Sequence, residues 1–127
     1  MSNESTRIFI LEDETIVALD MADTLVAAGF EVVGPSIRLG SAIEIVRKSD
    51  FDAAILDVNL GQGRTSRPVA EILKDRGIPY AFSTAYDTDQ VEFIGPEDIV
   101  AQKPLSQKDL LDVLRRLLPS ERMPAEA

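Results

Sequence analysis

The chain has 127 residues, 45% hydrophobic and 28% charged, and its 13 Lys and Arg against 22 Asp and Glu give a formal net charge of −9. This is the size and composition of one globular domain with a real core, far from disordered or fibrous sequences. With no Cys and no His, disulfide frameworks, thiolate or His-ligated metal sites, cysteine nucleophiles and imidazole bases are excluded, and the acidic balance argues against nucleic acid or an anionic membrane as partner.

Residues 1–6 are polar and read as a disordered tail without a signal-peptide core, and no stretch approaches the ~20 apolar residues of a membrane span, which makes the cytoplasm the default address. The run Arg7-Ile8-Phe9-Ile10-Leu11 stops at Glu12-Asp13-Glu14 and predicts a central strand buried on both faces. Val17, Ala18, Met21, Leu25 and Ala28 then recur at helical spacing, with Asp13 as the expected cap and Gly29 at the end. Phe30 to Val33 is the second predicted strand, stopping before Gly34-Pro35, and Ser41-Ala42-Ile43-Glu44 has the form of a capping box opening the second helix.

The third strand, Ala53 to Leu56, ends at Asp57, and a Gly-rich loop leads to a helix with Pro68 in its first turn and Gly77 at its close. Tyr80-Ala81-Phe82 is the fourth strand, ending at Ser83-Thr84, and Asp87 to Ile94 is at best a short helix before Gly95-Pro96. Ile99-Val100-Ala101 is the fifth strand, running into Gln102-Lys103-Pro104. Ser106 caps a last helix with a stripe of Leu110, Val113, Leu114, Leu117 and Leu118, and residues 119–127 read as a flexible tail. Alternating β and α units imply an α/β fold with a mostly parallel sheet between two layers of helices.

Ligands of open α/β sheets collect at the carboxyl ends of the strands. There the first strand delivers Glu12 and Asp13, the third Asp57 with Asn59 beyond it, the fourth Thr84 with Tyr86 beyond it, and the fifth Lys103. Clustered carboxylates repel unless something positive neutralises them, and an all-oxygen set suits Mg²⁺, which binds through one or two carboxylates plus phosphate oxygens. Lys103 and Thr84 then await a phosphoryl group, with Asp57 as nucleophile. Taken singly, each has an ordinary reading, as a helix-dipole partner, a cap, a turn residue or a loop cation. Jointly those readings require four motifs to reach one sheet edge by accident.

The motifs Ile10-Leu11-Glu12-Asp13-Glu14, Ile55-Leu56-Asp57-Val58-Asn59-Leu60, Phe82-Ser83-Thr84-Ala85 and Gln102-Lys103-Pro104, in this order, resemble the receiver domain of two-component response regulators over residues 7–118. The resemblance implies a flavodoxin-like (βα)5 fold, a three-layer sandwich with strand order 2-1-3-4-5. It implies that Asp57 accepts a phosphoryl group from a histidine kinase or a histidine phosphotransfer protein. Mg²⁺ or Mn²⁺ would then be held by Asp13, Asp57 and the main-chain carbonyl of Asn59, with Glu12 acting through a water. Thr84 and Lys103 would bind the phosphoryl oxygens, and Asn59 and Tyr86 would tune dephosphorylation.

The family usually carries Tyr or Phe three residues before this lysine, where the present chain has Val100. Ile78 to Tyr86 is similar to stand-alone single-domain receivers of alphaproteobacteria, which often lack that aromatic. The expected role is signalling by phosphorylation-dependent protein binding or phosphorelay, with no nucleic acid or membrane partner and no classical enzymatic activity. A phosphate sink and a degenerate receiver serving as a constitutive binding module are the rivals. An aspartate-nucleophile phosphatase fits poorly, because those enzymes place an Asp-x-Asp pair after the first strand.

Overall fold

The structure, a computed structural model, describes residues 5–85 and 91–127. Its five strands are β1 (Arg7–Leu11), β2 (Glu31–Ser36), β3 (Ala53–Asp57), β4 (Tyr80–Thr84) and β5 (Ile99–Gln102). The helices among the described residues are α1 (Thr15–Ala27), α2 (Leu39–Lys48), α3 (Arg67–Arg76) and α4 (Gln107–Leu117), followed by a 3₁₀ turn at Ser120–Arg122. All strand pairs are parallel, and the order β2-β1-β3-β4-β5 matches the sequence expectation.

Period-two alternation divides the apolar strand residues between two cores. Phe9, Leu11, Ala54, Leu56 and Phe82 face Ala42 and Val46 of α2 and Val69 and Leu73 of α3. Ile8, Ile10, Ala53 and Ile55 face Met21 and Leu25 of α1 and Leu110 and Leu114 of α4. The sheet is therefore the middle of three layers, which is why β1 and β3 read as unbroken apolar runs.

Local signals succeed and fail for identifiable reasons. Gly77 ends α3 with φ 72°, a left-handed conformation in which glycine has no Cβ penalty, and Ser106 with Asp109 forms the capping box of α4. Asp13 does not cap α1. Glu14 is the N-cap without a side-chain bond, and its N–H donates instead to Oε2 of Glu12 at 3.0 Å.

Ser41 lies inside α2, which starts at Leu39; its hydroxyl donates to the Arg38 carbonyl, so the expected box is absent. β2 runs past Val33 through Gly34-Pro35 to Ser36, with an extra residue bulged between the pairs Phe9↔Val33 and Leu11↔Ser36. An edge strand tolerates this, because the missing proline N–H can face away from the neighbouring strand. Of the expected helix at Asp87 to Ile94, positions 87–90 lie outside the described residues, and positions 91–98 form turns closed by Ile94 N to Val91 O and Asp98 N to Gly95 O.

The segment read from sequence as a tail, residues 119–127, lies against the base of the sheet. Arg122 pairs with Asp52 at 3.0 Å, its carbonyl accepts from the Thr6 hydroxyl, and Met123 and Ala127 pack on the α1 side of the core. Gly29 makes this approach possible. Its φ is +98°, and a Cβ there would sit 2.7 Å from Oε1 of Glu126 and 2.9 Å from Cβ of Pro124. Gly29→Ala is expected to cost about 1–3 kcal/mol in urea unfolding, from backbone strain and displacement of the segment. An unchanged midpoint would show that residues 124–126 do not rest on this turn.

Candidate functional site

Each of four strands ends its apolar run on a polar residue at the same rim: Glu12 after β1, Asp57 at the end of β3, Thr84 at the end of β4 and Lys103 after β5. Between β1 and β3 the chain's connections leave in opposite directions, which opens a crevice there. A cleft of about 280 Å³ at this point is lined by Asp13, Asp57, Asn59, Gly61, Thr84 and Lys103 together with Glu14 and Ala85. Lys103 Nζ lies 2.7 Å from Oε1 of the fully buried Glu12 and 3.2 Å from Oδ2 of Asp57. The Lys103 N–H donates to the Thr84 carbonyl at 2.9 Å, which ties the fourth and fifth strand ends together.

The electrostatics follow from crowding. Burial pushes the Asp57 carboxyl up to about 8, helped by a hydrogen bond with Asp13 and by the Glu12 charge, while Lys103 opposes the rise. Burial pulls Lys103 down, but its bond to Glu12 and the charges of Asp57 and Glu12 outweigh burial and hold the ammonium above the ordinary lysine value. One lysine thus serves two buried acids, and with Asp13 beside them the site carries more negative charge than it neutralises.

No family model matches the sequence. The chain is 30% identical over 111 residues to the transcriptional regulatory protein PdtaR of Mycobacterium tuberculosis, an alignment covering 85% of this chain and 54% of PdtaR, so the chain spans about half the length of that curated relative. A crystal structure of a response regulator receiver protein from Sinorhizobium medicae is 26% identical, with a TM-score of 0.74 and coverage of 91% of this chain and 96% of that one. The solution structure of beryllofluoride-activated SdrG from Pseudomonas melonis is 36% identical, with a TM-score of 0.77, and the match covers 93% of this chain and 100% of SdrG. The chain belongs to the response regulator receiver domains.

The donor set of this receiver suits a hard divalent cation. Glu12, Asp13 and Asp57 each offer one oxygen, all within 4.8 Å of one another, and receiver domains generally bind Mg²⁺ at such an acidic site. Asn59 is exposed at the cleft, bridged in antiparallel fashion to Thr65, while Thr84 is buried at its wall. Val100 is half-buried, opposite Phe82 in the β4–β5 ladder. Tyr86 lies outside the described residues.

One surface escaped the sequence reading. The buried stripe of α1 is the expected one, yet Ile16, Leu19 and Val26 on its other side are 83%, 54% and 60% exposed. The signal was present as apolar residues off the core stripe, and exposed apolar patches mark interaction sites more often than accidents.

Proposed function

We propose that this receiver accepts a phosphoryl group on Asp57 from a phosphohistidine of a sensor kinase or histidine phosphotransfer protein, and signals by phosphorylation-dependent protein binding or relay. The observation that carries the reading is one buried carboxylate, Asp57, facing an open cleft within 3.2 Å of a lysine ammonium and beside two further acids. In the transfer an Asp57 oxygen attacks phosphorus as the P–N bond breaks, its electron pair returning to the imidazole nitrogen. Lys103 binds a phosphoryl oxygen in exchange for its contact with Asp57, and the Thr84 hydroxyl takes another. Mg²⁺ or Mn²⁺, held by Asp13, Asp57 and the Asn59 carbonyl with Glu12 behind a water, would supply charge neutralisation.

In this reading Asn59 and Tyr86 tune water attack on the phosphorylated state. The donor supplies the histidine this chain lacks, and both partners meet in the cytoplasm. The exposed side of α1 suits the donor, since Ile16 follows Asp13 by three residues and presents an apolar foothold beside the cleft. Ile16→Glu is expected to slow phosphotransfer from a phosphorylated donor at least tenfold, with small-molecule phosphorylation unaffected. Equal slowing of both reactions would place Ile16 outside the docking surface.

Val100 motivates a second reading, a degenerate receiver that binds its partner constitutively. Amide NMR with Mg²⁺ and then beryllofluoride, the reagent used on the similar SdrG, separates the readings. Shifts that begin at Asp13, Asp57 and Asn59 and spread past Thr84 to Lys103 and α4 support a switching receiver. Shifts confined to the acidic rim indicate a sink or relay, and no response indicates the constitutive module.

A further inference from the structure

The sheet has two edges, β2 and β5, and the sequence treats them oppositely. β2 is blunted by Gly34-Pro35 and its bulge, two of the devices by which proteins keep an edge from pairing with other chains. β5, Ile99-Val100-Ala101-Gln102, has no proline, bulge or charge, and it is the one strand among the described residues with no fully buried member, its first three residues half-buried and Gln102 exposed.

The ladder fixes which groups look outward. In a parallel pair successive residues direct their backbone groups to alternate sides, and Lys103 N–H faces β4 through the Thr84 carbonyl. Ile99 and Ala101 therefore face β4, whereas the N–H and C=O of Val100 and Gln102 face away. Among the described residues nothing bonds to those outward groups, while the next one down, Asp98 N–H, is turned onto Gly95.

Beside the start of β5 opens a groove of about 730 Å³, floored by Tyr80, Phe82 and Phe93, whose rings meet edge to face at 5.5 and 5.6 Å, and bordered by Glu97 and Asp98. We propose that the β5 edge is a strand-addition site for an extended basic segment of a partner protein, which pairs with Val100 and Gln102 and sets one bulky apolar side chain into the aromatic groove. Main-chain bonds would supply affinity, and the alternation of side chains would supply a single anchor.

Charge selects the occupant. The groove carries both signs, Glu71, Glu97 and Asp98 against Arg67 and Lys74, and this excess of acids together with the chain's net charge of −9 favours Lys or Arg flanking the anchor over a second copy of this acidic chain. Val100 fits this role, since a β-branched side chain favours the strand conformation that an incoming chain must match. This surface is separate from the Asp57 chemistry, so the failure of either reading leaves the other standing.

The test titrates the full chain, by amide NMR, with the synthetic peptide acetyl-Lys-Val-Phe-Val-Lys-amide. The largest shifts and slowed exchange are expected at Val100 and Gln102, with cross-strand contacts to the peptide. Methylating the peptide's backbone nitrogens, or replacing its lysines by glutamates, is expected to weaken binding at least tenfold. Val100→Pro removes an outward N–H where an edge strand tolerates proline, and it should weaken binding similarly while the amides of Ala101 and Lys103 stay protected. Absence of binding at about a millimolar peptide, equal binding of the methylated peptide, shifts centred on α1, or self-association through β5 would each overturn the proposal.

Discussion

Asp57→Asn is expected to reduce phosphoryl incorporation from a small-molecule donor with Mg²⁺ to background, with the fold intact. Asparagine keeps the volume, and its amide can donate to Asp13 and Glu12 while its oxygen accepts from Lys103, so the contacts around position 57 persist. What disappears is the anionic oxygen, and an amide oxygen is too weak a nucleophile to take its place. Intact-mass measurement of the protein after incubation with donor reads the result directly. A phosphorylated species that survives the substitution would move the acceptor elsewhere and remove the basis of the proposed function. Loss of labelling together with loss of amide dispersion would instead mean that the Asp57 carboxyl is needed for folding.

The legible part of this molecule was whatever depends on local chemistry. Arg7 to Leu11 and Ala53 to Leu56 are apolar without alternation because both faces of β1 and β3 are covered, and each such run must stop where polar groups can meet water. That stop is also the site, which is why Glu12, Asp13, Asp57, Thr84 and Lys103 could be named from the sequence and are found at one cleft. What failed depends on neighbours in space. Gly34-Pro35 reads as an end of strand unless one knows that β2 is an edge, and Ser41 reads as a cap unless one knows that α2 begins at Leu39. The docked Arg122 and the bare face of α1 are likewise tertiary facts. The Arg122 partners Asp52 and Thr6 are far away in sequence, and no period distinguishes an apolar residue that is buried from one kept for a partner.

Mg²⁺ affinity should rise about fiftyfold from pH 6 to pH 8, nearly tenfold over the first unit and about fivefold over the second, and then level off. Burial first, and then Asp13 and Glu12, lift the Asp57 carboxyl from an ordinary 3.8 to about 8, so over this interval the cation must displace one proton to bind. The same shift sets the stability of the metal-free protein. The folded state holds this proton more tightly than the unfolded chain, so the contribution is complete below 3.8, declines as pH rises towards about 8, and is absent above it. Asp57→Asn lacks that decline, and at pH 8 without metal it should exceed the parent by on the order of 3 kcal/mol, an allowance for water reaching the cleft being included. With saturating Mg²⁺ the order should narrow or reverse, because the parent then gains binding energy that the variant largely forgoes. Denaturant unfolding at pH 6 and 8, with Mg²⁺ and with chelator, tests both halves. A Mg²⁺ affinity that is flat across this range would show that Asp57 is already ionised at pH 6 and that Lys103 alone neutralises it, which would leave no electrostatic vacancy for a cation to fill.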